Sequence, residues 1–371
     1  MVTASGHAYP WDVLGDPEFP GRVRRAGLGT VTLAATYHST RAATPLHPHR
    51  QVVDARYAAL YRPVRPEAWD GHLLTPAAPD WLAEPDPFGA AAGLLRAAGL
   101  KVTAWIVLTH STRLGLAHPR VAVVNCFGES YPYALCPAHP EVRRYAATLA
   151  AEALRGAPVD AVSLEACGQL GVDHLGHHEK TAGAWTAEAR RLLSVCCCAA
   201  CRAAWRAAGA DDEALVAALR RGARTAGAPP FDDAVLLAVR QAHTDALRAE
   251  VLAAVRAAAP GVPVTLHASP DPWATGPSPG LTPSAADDVD ALLVPAWPTG
   301  PETAELVAAA AKHGRPVDAY VTVLSDADGE TLVAHARRLR DAGASRLSLY
   351  HLGLAPAWRQ VLFGDVLDAV R

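Results

Sequence analysis

From residue 263 onward the chain repeats one unit: an apolar run of strand length, a helix, a glycine, and the next apolar run. The strands are PVTLHAS from Pro263, VDALLVPAW from Val289, PVDAYVTVLS from Pro316 and SRLSLYHLG from Ser345. The helices PETAELVAAAAKHG and GETLVAHARRLRDAG separate the last three strands. Each closes on a glycine, the residue that takes the left-handed turn after a helix at least cost. Helices alternating with buried strands imply a parallel sheet covered by those helices.

The same beat runs upstream. VTLAATYH from Val31 alternates, with Val31, Leu33, Ala35 and Tyr37 on one face. The helix PFGAAAGLLRAA feeds KVTAWIVLTH, and EVRRYAATLAAEALRG feeds PVDAVSLEA, while RQVVDARYAALY is an ambiguous eighth segment. No GxGxxG follows the first of these strands and no GxxxxGK[ST] occurs anywhere, which disfavours a nucleotide-binding open sheet. The sequence predicts a (β/α)8 TIM barrel, a single domain over residues 1–371. A helical, cysteine-containing insertion follows the fourth strand, at about residues 168–260.

The charge is nearly balanced, Lys+Arg 34 against Asp+Glu 37, too even for a phosphate-binding surface, so nucleic acid is excluded as a partner. No basic-then-apolar leader and no apolar run of roughly 20 residues is present, so the expectation is a cytoplasmic protein with no membrane association.

In such barrels the carboxyl ends of the strands build the site. Counted on the strands above, the first gives Tyr37 and His38, the third His110 and the fourth Glu165. The fifth gives His267 with Asp271 beyond it, the sixth Trp297, the seventh Tyr320 and Thr322, and the last Tyr350 and His351. Ser163 and Glu165 share the face opposite Val162 and Leu164, which turns the carboxylate inward at the mouth. A general acid there needs an apolar surround to raise its pKa. The glycine-punctuated loop ACGQLGVDHLGHHEK follows, with His177, His178 and Glu179 placed to bond substrate hydroxyls. Asn125 belongs to the same candidate binding set. Trp297, Tyr320, Tyr350 and Trp273 offer aromatic faces to the C–H face of a sugar ring. Cys196, Cys198 and Cys201 could supply three thiolates to a structural zinc, completed by Cys136, Cys167 or a loop histidine; the competing reading is free thiols packing a small subdomain. No cofactor is otherwise required.

The run ATYHST, the loop PLHPHR, the segment NCFGESYPYALCPAHPEVRRY, the strand VSLEA with HLGHHEK, and LLSVCCCAAC carry a resemblance. Over about residues 32–201 the chain resembles a bacterial family of hypothetical glycosyl hydrolase-like TIM barrels. Those proteins pair Tyr37-His38, the Leu135 to Arg143 element and the Cys196 to Cys201 motif. The resemblance implies glycosidic-bond chemistry on a small-molecule or oligosaccharide substrate. It places Glu165 as the general acid/base after the fourth strand. Retaining glycosidases on this barrel usually carry a nucleophile carboxylate at the end of the seventh strand, where this sequence has none. The second carboxylate is then Asp271 or Asp326, with Asp173, Glu179 and Glu129 as other loop carboxylates and inversion as the outcome at longer separation. Two other readings compete. One is a metal-dependent hydrolase using His38, His110, His267 and His351; the other is a carbohydrate-binding barrel without catalysis.

Overall fold

The computed structural model describes residues 2–173, 180–181, 183–225 and 234–371. Eight parallel strands close into a barrel: β1 (Thr3–Ala8), β2 (Thr30–Tyr37), β3 (Lys101–Val107), β4 (Ala161–Glu165), β5 (Val264–His267), β6 (Ala291–Pro295), β7 (Val317–Thr322) and β8 (Ala344–Tyr350). β1 pairs with both β2 and β8, which closes the ring. Helices such as Pro87–Ala97, Pro140–Leu154, Pro301–Ala311 and Gly329–Asp341 lie between successive strands. Gly99 and Gly343 take positive φ just after two of them, as the sequence pattern requires.

One strand differs from the sequence reading. The barrel begins at Thr3–Ala8, and the ambiguous segment near residue 52 contributes no barrel strand. Val52–Ala55 pairs only with Thr40–Ala43, and Ala59–Leu60 lies antiparallel against β2. The strand that delivers Tyr37 is therefore the second, while numbering from β3 onward stands. TASGHA escapes notice because it is built of small residues. Gly6 is one of them by necessity, since a Cβ there would meet Leu352 Cδ1 at 2.6 Å.

The strands alternate sharply. Val102, Ala104 and Ile106 stand against Thr103 and Trp105; Val162 and Leu164 against Ser163 and Glu165; Val264 and Leu266 against Thr265 and His267; Val317, Ala319 and Val321 against Asp318 and Tyr320. Parallel barrels usually bury branched apolar residues on both strand faces. Here the inner face is polar. At the N-terminal end Ser5, Thr32, Thr103, Ser163, Thr265, Asp318 and Ser348 line a cavity of about 320 Å³. Thr32 donates to Ser5 (3.1 Å), and Ser348 donates to Asp318 (2.9 Å), so Ser5 must donate across the 3.2 Å Ser5–Ser348 contact. The chain of hydroxyls thus ends on a carboxyl.

Between β4 and β5 the chain carries the helices Ala187–Leu193, Ala199–Ala207, Asp212–Arg224 and Ala234–Ala258. The last packs against Pro140–Leu154 as part of the outer ring. Cys196, Cys197 and Cys198 lie between the first two. Among the described residues no helix is long and apolar enough to cross a membrane.

Candidate active site

Glu165 ends β4 and points into the barrel, as its parity with Ser163 predicts. It is 4% exposed. The Trp105 indole, from β3, donates to Glu165 Oε2 at 2.7 Å, and His267 Nδ1 lies 3.7 Å from the same oxygen. Burial pushes the carboxyl up to about 8 against an ordinary value of 4.5, and the Trp105 hydrogen bond offsets this only in part. Glu165 is therefore protonated at neutral pH and can give a proton. His267 is fully enclosed, and desolvation lowers it to about 3, so its ring is neutral.

Above the acid sits an aromatic collar. Tyr37 meets Trp105 edge-on with centroids 4.7 Å apart, and Tyr320 lies 5.8 Å from both His267 and Tyr350. Trp297, 40% exposed, tilts over Tyr350 at 4.9 Å. Burial raises the phenols of Tyr37, Tyr320 and Tyr350 above their ordinary value, which keeps them as hydroxyl donors. His38 stacks on Tyr37 (4.1 Å) and faces His110 (4.2 Å), extending the collar along the rim.

Other sequence candidates are placed elsewhere. Asn125 is saturated: its amide nitrogen donates to Glu129 (2.7 Å) and Tyr131 (3.0 Å), and its oxygen accepts from the Phe127 and Glu129 backbones. That pattern holds a turn and leaves the side chain little to offer a ligand. His351 is buried against Tyr9, its Nδ1 3.8 Å from Asp12. Desolvation lowers His351 to about 3 and raises Asp12 to about 8, so both are neutral near pH 7. Trp273 carries Arg191 and Arg240 over its ring at 4.7 and 5.7 Å. Asp271 is exposed in the loop after β5 and accepts from the Trp273 backbone at 3.0 Å, while Asp326 is exposed in the loop after β7. Asp173 pairs with Arg190 at 3.5 Å. His177, His178 and Glu179 lie outside the described residues. Among the described residues, no carboxylate bonds Glu165.

Sequence reading missed His7, Tyr9 and Trp105. His7 packs edge-on to Trp105 (4.7 Å) and lies 3.5 Å from the Tyr320 hydroxyl; Tyr9 reaches the Tyr350 hydroxyl at 3.2 Å. Trp105 stands two residues before Val107, the register partner of Glu165, and that register brings its indole to the carboxyl.

The strand-end histidines do not converge as a metal set among the described residues; Cys136, Cys196, Cys198 and Cys201 do. All four are buried, with sulfurs within 4.8 Å of one another: Cys136 lies 3.6 Å from Cys201 and 3.9 Å from Cys198. Zn–S bonds of about 2.3 Å in a tetrahedron set the sulfurs about 3.8 Å apart. His139 Nε2 lies 3.4 Å from Cys198 Sγ and borders the cluster.

No protein-family model matches the chain, and no curated protein matches its sequence. Solved structures do match its fold. Alpha-L-fucosidase isoenzyme 2 from Paenibacillus thiaminolyticus aligns over 100% of this chain and 49% of its own, at 14% identity and a TM-score of 0.62, so this chain spans about half of that protein. The glycoside hydrolase domain of PgaB (BpsB) from Bordetella bronchiseptica aligns over 100% of this chain and 97% of its own, at 18% identity and TM-score 0.59. The catalytic domain of a beta-amylase from Paenibacillus polymyxa aligns over 99% and 98%, at 12% identity and TM-score 0.61. At such identities the likeness is one of fold. The chain has a (β/α)8 barrel like those of glycoside hydrolases.

Proposed function

We propose that the protein is a glycoside hydrolase with Glu165 as its general acid. The observation that carries this reading is a carboxyl kept protonated by burial at the end of β4, under an aromatic collar at the barrel mouth. A protonated carboxyl can protonate the leaving oxygen of a glycosidic bond, and the phenol hydroxyls can bond the sugar. Trp297 and Tyr350 form the stacking platform, while Trp273 is covered by arginines. The second carboxylate comes from the loops above, Asp271 or Asp326. Distance from Glu165 then decides stereochemistry, with about 5–5.5 Å giving retention and about 6.5–9.5 Å inversion.

The test is turnover of a panel of 4-nitrophenyl glycosides and oligosaccharides. Asp271→Asn and Asp326→Asn are compared on the first substrate found, and one of them is expected to lose at least about 100-fold in kcat. If both keep full activity, neither loop supplies the second group. Trp297→Ala is expected to raise KM about tenfold, equivalent to about 1.4 kcal/mol, with kcat little changed. An unchanged KM removes Trp297 from the platform.

The four cysteines are proposed as a structural zinc site. It would tie the loop after β3, which carries Cys136, to the helix Ala199–Ala207, whose N-cap is Cys198 and which contains Cys201. The sulfur spacing suits Zn²⁺, and four thiolates leave no open position for substrate, so the metal has no place in the reaction.

A further inference from the structure

The acid carries one proton and two oxygens, and only a proton on the oxygen that meets the substrate is useful. Oε2 is the oxygen addressed by the protein. An indole N–H can only donate, so at 2.7 Å from Trp105 Oε2 must accept. In a protonated carboxyl the good acceptor is the carbonyl oxygen, which puts the hydroxyl on Oε1. Oε2 then presents lone pairs to His267 Nδ1 at 3.7 Å. A bare Nδ1 would set lone pair against lone pair, whereas Nδ1–H is attracted. The neutral ring has one proton, so with Nδ1 protonated Nε2 is an acceptor. Ser163 Oγ, 2.9 Å from Nε2, is the donor that fits it. Two hydrogen bonds, between Ser163 and His267 and from Trp105 to Glu165, flank a buried Nδ1 that has no hydrogen-bond partner among the described residues and faces Oε2 at 3.7 Å, where the attraction is electrostatic.

We propose that Ser163 and His267 are positioning residues that hold the Glu165 proton on Oε1. The inference rests on Glu165 being the acid, and it gives His267 a role behind the carboxyl in place of substrate binding. Ser163 stands two residues before Glu165 on β4, and His267 is on the adjoining β5, so strand register alone sets the pair. Removing the Ser163 hydroxyl frees the ring to carry its proton on Nε2. Nδ1 then becomes an acceptor, and the Glu165 hydroxyl turns toward the ring, away from substrate.

Nitrogen NMR of protein labelled with ¹⁵N at the histidine ring tests the pair without any turnover. The expected result is a single Nδ1–H tautomer of His267 in the wild type, assigned by its loss in His267→Gln. Ser163→Ala is expected to populate Nε2–H, and Ser163→Thr, which keeps the hydroxyl, to restore Nδ1–H. On a cleaved glycoside, Ser163→Ala lowers kcat roughly 10–100-fold at constant KM, and Ser163→Thr recovers it. An Nε2–H tautomer in the wild type, or one unmoved by Ser163→Ala, overturns the proposal. Neither result bears on whether Glu165 is the acid, which is read separately from Glu165→Gln.

Discussion

Glu165→Gln is expected to abolish hydrolysis and, at pH 8.5, to make the fold more stable than the wild type. The activity loss follows from removing the proton donor and should reach about 10²–10⁴-fold on substrates with poor leaving groups. The gain in stability follows from the direction of the pKa shift. The carboxyl titrates at about 8 in the folded protein and near 4.5 when unfolded. Between those values the folded state holds a proton that the unfolded chain has released. Stability therefore falls as pH rises through that window, and the full cost is present above about pH 8. At 1.36 kcal/mol per pH unit the cost is on the order of 5 kcal/mol. Glutamine keeps the shape, still accepts from Trp105 and never ionises. The thermal midpoint of Glu165→Gln should exceed the wild type's at pH 8.5 and match it at pH 5. Asp12 and Asp318, also raised by burial, are common to both proteins and cancel. Equal midpoints at both pH values would mean that Glu165 is ionised inside the fold and is no acid. Wild-type activity should decline above about pH 8 for the same reason.

Removal of metal should have the other large effect. Protein purified without chelator is expected to carry one zinc per chain by elemental analysis. Cys198→Ser, or a strong chelator under mild denaturation, should release it. Structural zinc contributes about 10–16 kcal/mol in small domains that fold only with metal. Here the loss falls on the segment the site ties down: the hairpin of Ala122–Val124 and Ser130–Leu135, and the helix Ala199–Ala207. That segment should become the first point of protease cleavage, while the barrel strands stay protected. Zinc-free protein with unchanged protease resistance would reduce the cluster to four packed thiols. Cys197→Ser serves as control, since Cys197 is outside the four-thiol set.

Much of this was legible in the chain. The helix–strand beat of the C-terminal half gave the barrel, and parity within VSLEA gave the inward Glu165, because a two-residue period leaves a side chain only two faces to choose from. The three-cysteine motif named most of the thiol cluster, and Cys136 was among its possible completions. What escaped notice did so for physical reasons. β1 is built largely of small residues, and its pairing to β2 and β8 depends on partners 25 and more residues away. Trp105 reads as one more apolar residue in KVTAWIVLTH, and only the register of β3 on β4 shows its indole to be a polar donor. The role of Asn125 depends on Glu129 and Tyr131 folding back on it, which no local pattern encodes.

The strict alternation along these strands divides labour between neighbours in sequence. Cohesion resides in the outward series, Val162 and Leu164 or Val264 and Leu266, pressed against the helices. The inward series carries the polar groups: Ser163 and Thr265 line the cavity at the N-terminal end, and Glu165 and His267 meet beneath the aromatic collar. Outward substitutions should therefore be read mainly as loss of folded protein in a mutational scan, and inward substitutions around Glu165 mainly as changes in a still-folded barrel. The arrangement is also brittle in one respect: a one-residue insertion within a strand would exchange the series, bringing hydroxyls and carboxyls against the helices and valines into the barrel interior. Length variation among any relatives of this chain should accordingly be confined to the connections, where it leaves that exchange untouched.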